Sequence, residues 1–108
     1  MEVSLSDFEK LDIRVGRVLN AERIPGSKKL FRVEVDLGEP KPRTLVAALA
    51  GFYELGELQG MNIVVLANLK PKRFMGVKSR AMLLAADVDG RPVLLTTAGD
   101  VPPGTRVK

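Results

Sequence analysis

The chain has 108 residues, of which 45% are hydrophobic and 28% charged, with a formal net charge of +4 and no cysteine, histidine or tryptophan. This length suits one domain, residues 1–108, that buries a core without disulfides. The missing cysteine and histidine exclude thiol catalysis, iron–sulfur clusters and the commonest metal ligands. No apolar run approaches the roughly 18 residues of a membrane span and no signal-peptide pattern is present, so we expect a cytoplasmic protein without a membrane partner.

The N-terminal part predicts a short helical turn followed by a coiled strand. Ser6 and Glu9 fit a capping box, which predicts a helical turn over Ser6–Leu11. Many β-branched residues then predict a first strand over Asp12–Ala21. The side-chain alternation of this strand slips beyond Gly16, which favours a β-bulge at that glycine.

The rest of the chain predicts further strands, one short helix and turns. After the turn residues Pro25-Gly26-Ser27, apolar and charged side chains alternate cleanly over Leu30–Leu37, which indicates a half-buried second strand. The later elements are a buried third strand over Thr44–Leu49, one or two helical turns over Phe52–Leu58, a fourth strand over Asn62–Ala67, a fifth over Ala81–Ala86, a tight turn at Asp89-Gly90 and a sixth strand over Val93–Thr96. Three phenylalanines fall at positions typical of a core: Phe8, Phe31 and Phe52.

The order of these elements predicts an all-β fold with short helices. Three strands, a helix and two more strands, with a glycine-bearing coiled first strand, are typical of the OB-fold, a five-stranded Greek-key barrel, here with N- and C-terminal extensions. An SH3-like barrel is an alternative of similar length, although it normally lacks the helix between the third and fourth strands.

Positive charge is concentrated in one segment of the chain. Residues 70–80 contain five cations and no acid, whereas the rest of the chain is nearly balanced: Lys70, Lys72, Arg73, Lys78 and Arg80. A solvated loop is one interpretation. In an OB-fold, however, ligands bind between the loop that joins strands 1 and 2 and the loop that joins strands 4 and 5. The first of these loops is also basic, with Arg23, Lys28 and Lys29, so the sequence predicts that both line one cleft for a polyanion.

The aromatic content narrows the class of polyanion. Proteins that bind single strands stack successive bases on aromatic rings, and the basic segment contains only Phe74. The sequence therefore predicts recognition of a folded RNA through its backbone and shape, with weak sequence specificity.

Three stretches of the chain resemble the tRNA-binding domain family: residues 7–18, residues 64–72 with Asn68-Leu69-Lys70-Pro71, and residues 75–82. Members of this family include C-terminal domains of methionyl-tRNA synthetases, stand-alone tRNA-binding proteins and a domain of endothelial-monocyte-activating polypeptide II. The resemblance covers residues 7–107. It implies an OB-fold, a homodimer formed through the terminal segments, and binding to the outer elbow of tRNA without choice among anticodons.

The resemblance also implies a set of tRNA-binding residues. The binding-face motif of the family falls on Asn68, Lys70, Arg73, Met75, Gly76, Ser79 and Met82, and Lys72, Lys78 and Arg80 lie within the same basic segment. Lysine and arginine suit phosphates, Asn68 and Ser79 could donate to phosphate or 2′-hydroxyl oxygens, and Gly76 would let the backbone approach closely. Other interpretations are that Asn68 caps a turn, that Met82 belongs to the core and that Gly76 is needed only for the backbone dihedral angles that glycine allows.

Two departures from the family make this chain more basic. Many relatives have His-Pro-Asn-Ala-Asp-Lys-Leu where this chain has Ile24-Pro25-Gly26-Ser27-Lys28-Lys29-Leu30, and Gln or Glu where it has Arg80. Both changes favour phosphate affinity over base-specific contacts at those positions.

The leading interpretation is a noncatalytic tRNA-binding module that acts free or beside an aminoacyl-tRNA synthetase. The alternatives are an export chaperone of the CsaA type, which shares the fold and binds unfolded peptides, and a dimerisation domain of a synthetase. No P-loop, G-x-S-x-G or S-x-x-K motif is present, so we expect no catalytic residues, cofactor or metal.

Overall fold

The computed structural model describes all 108 residues of the chain. Two short helices and nine strands follow one another: α1 (Leu5–Glu9), β1 (Ile13–Arg23), β2 (Phe31–Asp36), β3 (Arg43–Ala47), α2 (Leu55–Leu58), β4 (Asn62–Leu66), β5 (Lys72–Phe74), β6 (Val77–Ser79), β7 (Met82–Leu83), β8 (Ala85–Val88) and β9 (Arg91–Leu94). Neither helix has the length and hydropathy needed to cross a membrane.

The main sheet is antiparallel, with the strand order β3-β2-β1-β4-β7. β1 is long enough to pair with β2 through its C-terminal half and with β4 through its N-terminal half. The two ends of the sheet approach each other where Arg80 N donates to Thr44 O (2.9 Å) and Val46 N donates to Ser79 Oγ (3.0 Å). The sheet is therefore a nearly closed five-stranded barrel, which confirms the predicted OB-fold.

The coil of β1 depends on Gly16, although the bulge lies elsewhere. The register with β2 shifts between Val18 and Asn20, not at Gly16 as predicted. A Cβ atom on Gly16 would overlap Cγ1 of Val35 and would lie 2.8 Å from Cδ2 of Leu37. The glycine therefore permits the close approach of β1 and β2 inside the barrel, and the bulge follows it.

The barrel interior is filled by the apolar face of β2 together with residues from the other strands and α2. The predicted alternation along β2 is confirmed, with Phe31, Val33 and Val35 buried. Two of the three predicted core phenylalanines are misplaced, because Phe8 is 37% and Phe52 is 48% exposed. Phe8 lies on α1, which has no buried residue, and Phe52 lies in the turn beyond β3.

The first helix begins one residue and ends two residues earlier than predicted. Its N-cap is Ser4, whose hydroxyl accepts a hydrogen bond from Asp7 N (3.1 Å), so the Ser6–Glu9 capping box does not form. A serine caps the helix as predicted, but this serine is Ser4 and not Ser6. Ser4 is equally suitable because it too has an acidic residue three positions later.

The C-terminal third contains two short strands where one is predicted. The predicted fifth strand, Ala81–Ala86, divides into β7, which pairs with β4, and β8, which pairs with β9. The division occurs at Leu84, whose N–H bonds to the main sheet while its carbonyl accepts from Leu95 N. The predicted tight turn is confirmed, since Asp89 and Gly90 both have positive φ, at 51° and 86°.

We expect Gly16→Ala to lower the free energy of unfolding by about 1–3 kcal/mol, because the added methyl group overpacks the interior. Urea denaturation followed by circular dichroism measures this change. Gly56→Ala is the matched control: no atom lies within 4 Å of its added methyl group, which lies on α2, so its stability should equal or exceed that of the original chain. Equal stability of Gly16→Ala and the original chain would contradict this role of Gly16.

Candidate nucleic-acid interface

The basic segment 70–80 forms a β-hairpin, not the loop that the sequence predicts. β5 and β6 pair in the register Lys72↔Ser79, Arg73↔Lys78 and Phe74↔Val77. Met75 (φ 51°) and Gly76 (φ 81°) make a two-residue turn with positive φ at both positions. The sequence does not reveal this hairpin because each strand has only three residues, and the two strands carry three of the five cations instead of an apolar alternation. We call residues 70–80 the cationic hairpin.

The cations of this hairpin are exposed and have no acidic partner. Every residue of the chain that takes part in an ion pair lies outside the segment, and the cations that do so are Lys10, Arg14, Arg17, Arg32, Arg43 and Arg106. All five side chains of the predicted cluster are solvent-exposed: Lys70, Lys72, Arg73, Lys78 and Arg80. Their positive charge therefore remains available to an external anion.

Two of these cations face each other directly. Arg73 and Lys78 are cross-strand partners, which places like charges on the same face of a two-stranded ribbon. Such pairs destabilise a hairpin, and no carboxylate nearby offsets the repulsion. An anion bound on this face would relieve the repulsion, so the hairpin is better suited to a bound phosphate than to isolation.

Arg43 of β3 holds the two ends of the hairpin together. Its guanidinium donates to the backbone carbonyl of Ala67, just before the hairpin, and to that of Arg80, the last hairpin residue (3.1 Å). The same guanidinium bonds to both carboxylate oxygens of Glu39, at 3.1 and 2.6 Å. The hydrogen bond from Arg43 is the main reason that the pKa of Glu39 is lowered, so this ion pair is present at neutral pH.

Two predicted binding residues use their polar groups within the protein. The Asn68 amide donates to Lys10 O (2.7 Å) and accepts from Asp12 N (2.9 Å), which ties the hairpin to the segment after α1. The buried Ser79 hydroxyl accepts from Val46 N and donates to a backbone carbonyl (3.0 Å). Both side chains therefore position the hairpin. The buried Ser79 hydroxyl has no donor left for RNA, whereas the exposed Asn68 amide keeps its second N–H.

The first basic loop carries its cations in a turn ordered by serine. The Ser27 hydroxyl accepts hydrogen bonds from the backbone N–H groups of Lys29 and Leu30. Lys28 and Lys29 are exposed and unpaired, and the Arg23 guanidinium lies 5.6 Å from the ring centroid of Phe31. Arg23 is the last residue of β1 and not part of the loop to which the sequence assigns it. All three predicted cations are exposed without an acidic partner.

The first loop and the tip of the cationic hairpin lie side by side. A Cβ atom on Gly26 would lie 3.2 Å from Cε of Met75 at the hairpin turn. Met75 is 58% exposed and adopts a backbone conformation that is uncommon for residues other than glycine. The structure thus brings together the two basic segments that the sequence assigns to one cleft.

The surface between these segments is polar but internally neutralised. Arg32, on the outer face of β2, pairs with Glu22 (3.0 Å) and Glu34 (3.2 Å), and it lines a shallow depression of about 350 Å³ with Lys78 and Arg80. Arg32 is missing from the predicted site, although the alternation along β2 already indicates that its side chain points outward. The unpaired charge therefore lies at the edges of the cleft.

Apolar side chains also reach this surface. Met82 is 44% exposed on β7, so it is not a core residue, and Leu69 at the start of the hairpin is 45% exposed. Together with Met75 they interrupt the cationic surface with groups that cannot bind phosphate. Leu69 is absent from the predicted site because the sequence predicts that site from its cluster of charged residues and not from its apolar residues.

Comparison of the sequence with known families and proteins agrees with this geometry. The sequence model described as a putative tRNA binding domain matches residues 13–106. The methionine–tRNA ligase of Archaeoglobus fulgidus is 55% identical over 106 residues, which are 98% of this chain and 16% of that protein. The corresponding ligase of Thermotoga maritima is 47% identical over 105 residues, 97% of this chain and 16% of that protein. The chain therefore spans 16% of the length of these relatives.

Solved structures with the same fold cover the whole chain. A MetRS-related protein from Pyrococcus horikoshii has a TM-score of 0.91 and 39% identity, with complete coverage of both chains. The chaperone CsaA from Bacillus anthracis has a TM-score of 0.89 and 33% identity, also with complete coverage of both. From the family match over residues 13–106 and the relatives that share about half of its sequence, we conclude that the chain belongs to the tRNA-binding domain family.

Proposed function

We propose that this chain is a noncatalytic module that binds the outer elbow of folded tRNA. The observation that carries the proposal is the cationic hairpin, whose five exposed cations have no carboxylate partner and whose tip meets the basic first loop. In this mode, Lys70, Lys72 and Arg73 before the hairpin turn, with Lys78 and Arg80 after it, contact phosphates. Arg23, Lys28 and Lys29 extend the contact from the first loop.

Shape rather than base stacking is the basis of this recognition. The chain has one tyrosine and four phenylalanines. Phe31 is buried in the barrel, and the Tyr53 hydroxyl accepts a hydrogen bond from Leu94 N. A protein that tracks a long single strand needs a series of exposed rings along its cationic groove, and here only Phe74 lies on the hairpin. A rigid, bent RNA can instead meet both basic segments at once, without dependence on the anticodon.

The setting of this module follows from its relatives. The methionine–tRNA ligases that it resembles are enzymes of which it matches only a small part. We place the chain beside, or joined to, an aminoacyl-tRNA synthetase in the cytoplasm, where it holds tRNA while another part of the assembly performs the reaction. It needs no cofactor for this role.

The salt dependence of tRNA affinity tests the proposal. If about four phosphates are neutralised, affinity falls roughly a hundredfold between 50 and 200 mM salt, because counterions are released on binding. We expect Lys70→Glu/Arg73→Glu to bind tRNA at least tenfold more weakly and to reduce the salt slope by about two. Gel-shift titrations at several salt concentrations, with tRNA and with a linear single strand of equal length, measure both effects.

The matched control reverses two cations elsewhere. Arg91 and Lys108 are exposed, lie outside both basic segments and have no ion-pair partner, so Arg91→Glu/Lys108→Glu changes the net charge equally. We expect this variant to keep most of its affinity. A flat salt response, equal loss in the two double variants, or equal affinity for tRNA and the linear strand would contradict the proposed mode.

A second candidate function is the binding of unfolded peptides. It is favoured by the similarity to CsaA structures and by an apolar groove of about 400 Å³ between β3 and the β8–β9 hairpin. Residues from both sides line this groove, among them Val46, Leu49, Met82 and Pro92. Peptide binding would depend on these apolar groups and not on the unpaired cations.

Competition between ligands separates the two candidate functions. We expect an excess of a chemically denatured client protein to leave fluorescently labelled tRNA bound, because the client offers no polyphosphate backbone. Fluorescence anisotropy of the labelled tRNA measures displacement. Release of the tRNA by the excess client would instead favour the chaperone function.

We also propose that the chain forms a homodimer through its terminal segments. No residue of α1 is buried, although Leu5 and Phe8 are apolar, and the apolar Leu11 just after the helix is also exposed. An isolated helix of five residues is marginal in water. α1 and Val107 of the C-terminal segment line an open groove of about 900 Å³. A second copy of the chain would cover this apolar surface.

The molar mass in solution tests this proposal. We expect size-exclusion chromatography with light scattering to give twice the 11.8 kDa of the chain, and Phe8→Asp to give the mass of one chain, because the charge cannot be buried at the interface. Leu19→Asp, at a similarly exposed apolar residue on β1, is the control and should remain dimeric. A single-chain mass for the original protein at high micromolar concentration would refute the dimer.

A further inference from the structure

Beneath the cationic hairpin lies a pocket whose apolar walls take no part in the proposed phosphate contacts. Its volume is about 260 Å³, and its apolar lining includes Val46, Leu69, Phe74 and Met82. Lys70 and Lys72 also contribute to the lining. The pocket therefore combines an aromatic ring, aliphatic walls and two ammonium groups.

The register of the hairpin divides its cations between two faces. Lys72 and Phe74 lie on the same face as Ser79, which is buried against β3, whereas Arg73 and Lys78 lie on the opposite face. The outward pair is free to bind phosphate on the outer surface. The inward face forms the wall of the pocket, with Lys72 Nζ 5.2 Å from the ring centroid of Phe74.

We propose that this pocket receives one unstacked nucleobase of the bound RNA, with the adjoining phosphates paired to Lys70 and Lys72. The inference rests on the proposed tRNA binding and adds to it a contact with a base. Phe74 supplies the stacking surface, and Leu69 and Met82 cover the remaining edges of the base. A base that is already out of the helical stack, as at loops and bends of folded RNA, enters without the cost of unpairing.

Charge complementarity distinguishes a nucleobase from a peptide side chain as the occupant. Both ammonium groups at the pocket are exposed, and neither has a carboxylate partner. An apolar side chain of an unfolded peptide would pack against the apolar walls of the pocket but would leave both ammonium groups without a counter-charge. A nucleotide satisfies both features, because its base is a flat ring system and its phosphates are anionic.

The absence of tryptophan from the chain allows a direct test. Phe74→Trp creates a single fluorophore in the pocket, and Phe52→Trp creates a control fluorophore at an exposed phenylalanine that does not line the pocket. We expect saturating tRNA to quench the emission of the Phe74→Trp variant at least about twofold by stacking, and to leave that of the Phe52→Trp variant nearly unchanged. Gel shifts of the same samples confirm that tRNA is bound.

A second pair of variants tests the pocket without altering its aromatic wall. Leu69→Ala should weaken tRNA binding about fivefold or more with no change in the salt slope, because it removes apolar contact and no charge. Lys72→Gln should reduce the slope by about one. Leu19→Ala, at a similarly exposed leucine on β1, should change neither quantity.

The outcomes separate the pocket from tRNA binding as such. Bound tRNA that neither quenches the Phe74→Trp variant nor responds to Leu69→Ala would overturn the base pocket and leave the proposed function intact. Failure of the original chain to shift tRNA would overturn both. Quenching or a blue shift of the Phe74→Trp emission by a denatured client, but not by tRNA, would assign the pocket to peptides and overturn the inference.

Discussion

The surface that we assign to RNA depends on holding a self-repelling hairpin in place. The hairpin has Arg73 and Lys78 opposite each other and no acid, so its cations repel one another. Its order comes from three side chains at its base: Arg43 bonds to the backbone at both ends, Asn68 binds the segment after α1, and Ser79 joins β3. Each anchor is neutral or ion-paired, so none reduces the positive charge of the hairpin.

The positions of the acidic residues explain how a chain with a net charge of only +4 has a local positive potential at the hairpin. Carboxylates outside the hairpin are held by arginines in two-pronged contacts, as between Asp12 and Arg14 (2.9 and 2.7 Å) and between Glu39 and Arg43. These contacts lower the pKa of both carboxyls, chiefly through the arginine hydrogen bonds, so the acids remain ionised and paired at neutral pH. The planar guanidinium suits this pairing. The five lysines and three arginines of the two basic segments stay unpaired because no acid is within reach.

Sequence patterns predict the barrel well and the site in outline. The alternation over β2 and the order of the elements are sufficient for the OB-fold, and the charge clusters indicate which loops meet. The hairpin is not predictable from local pattern because its short strands are held by tertiary anchors such as Arg43, whose partners are backbone carbonyls distant in sequence. The roles of Asn68 and Ser79 are missed for the same reason, since composition alone cannot tell a side chain that binds RNA from one that bonds to its own backbone.

The Asn68 amide also creates a mechanical link between two distant surfaces. It fixes the backbone at Lys10 and Asp12, directly after α1, to the turn that leads from β4 into the cationic hairpin. A contact that orders α1 therefore also restrains the hairpin and lowers the entropy lost when RNA docks. By thermodynamic reciprocity, RNA that immobilises the hairpin strengthens whatever assembles on α1 by the same factor. The single amide side chain of Asn68 thus provides a route for cooperativity between assembly at α1 and RNA binding at the hairpin.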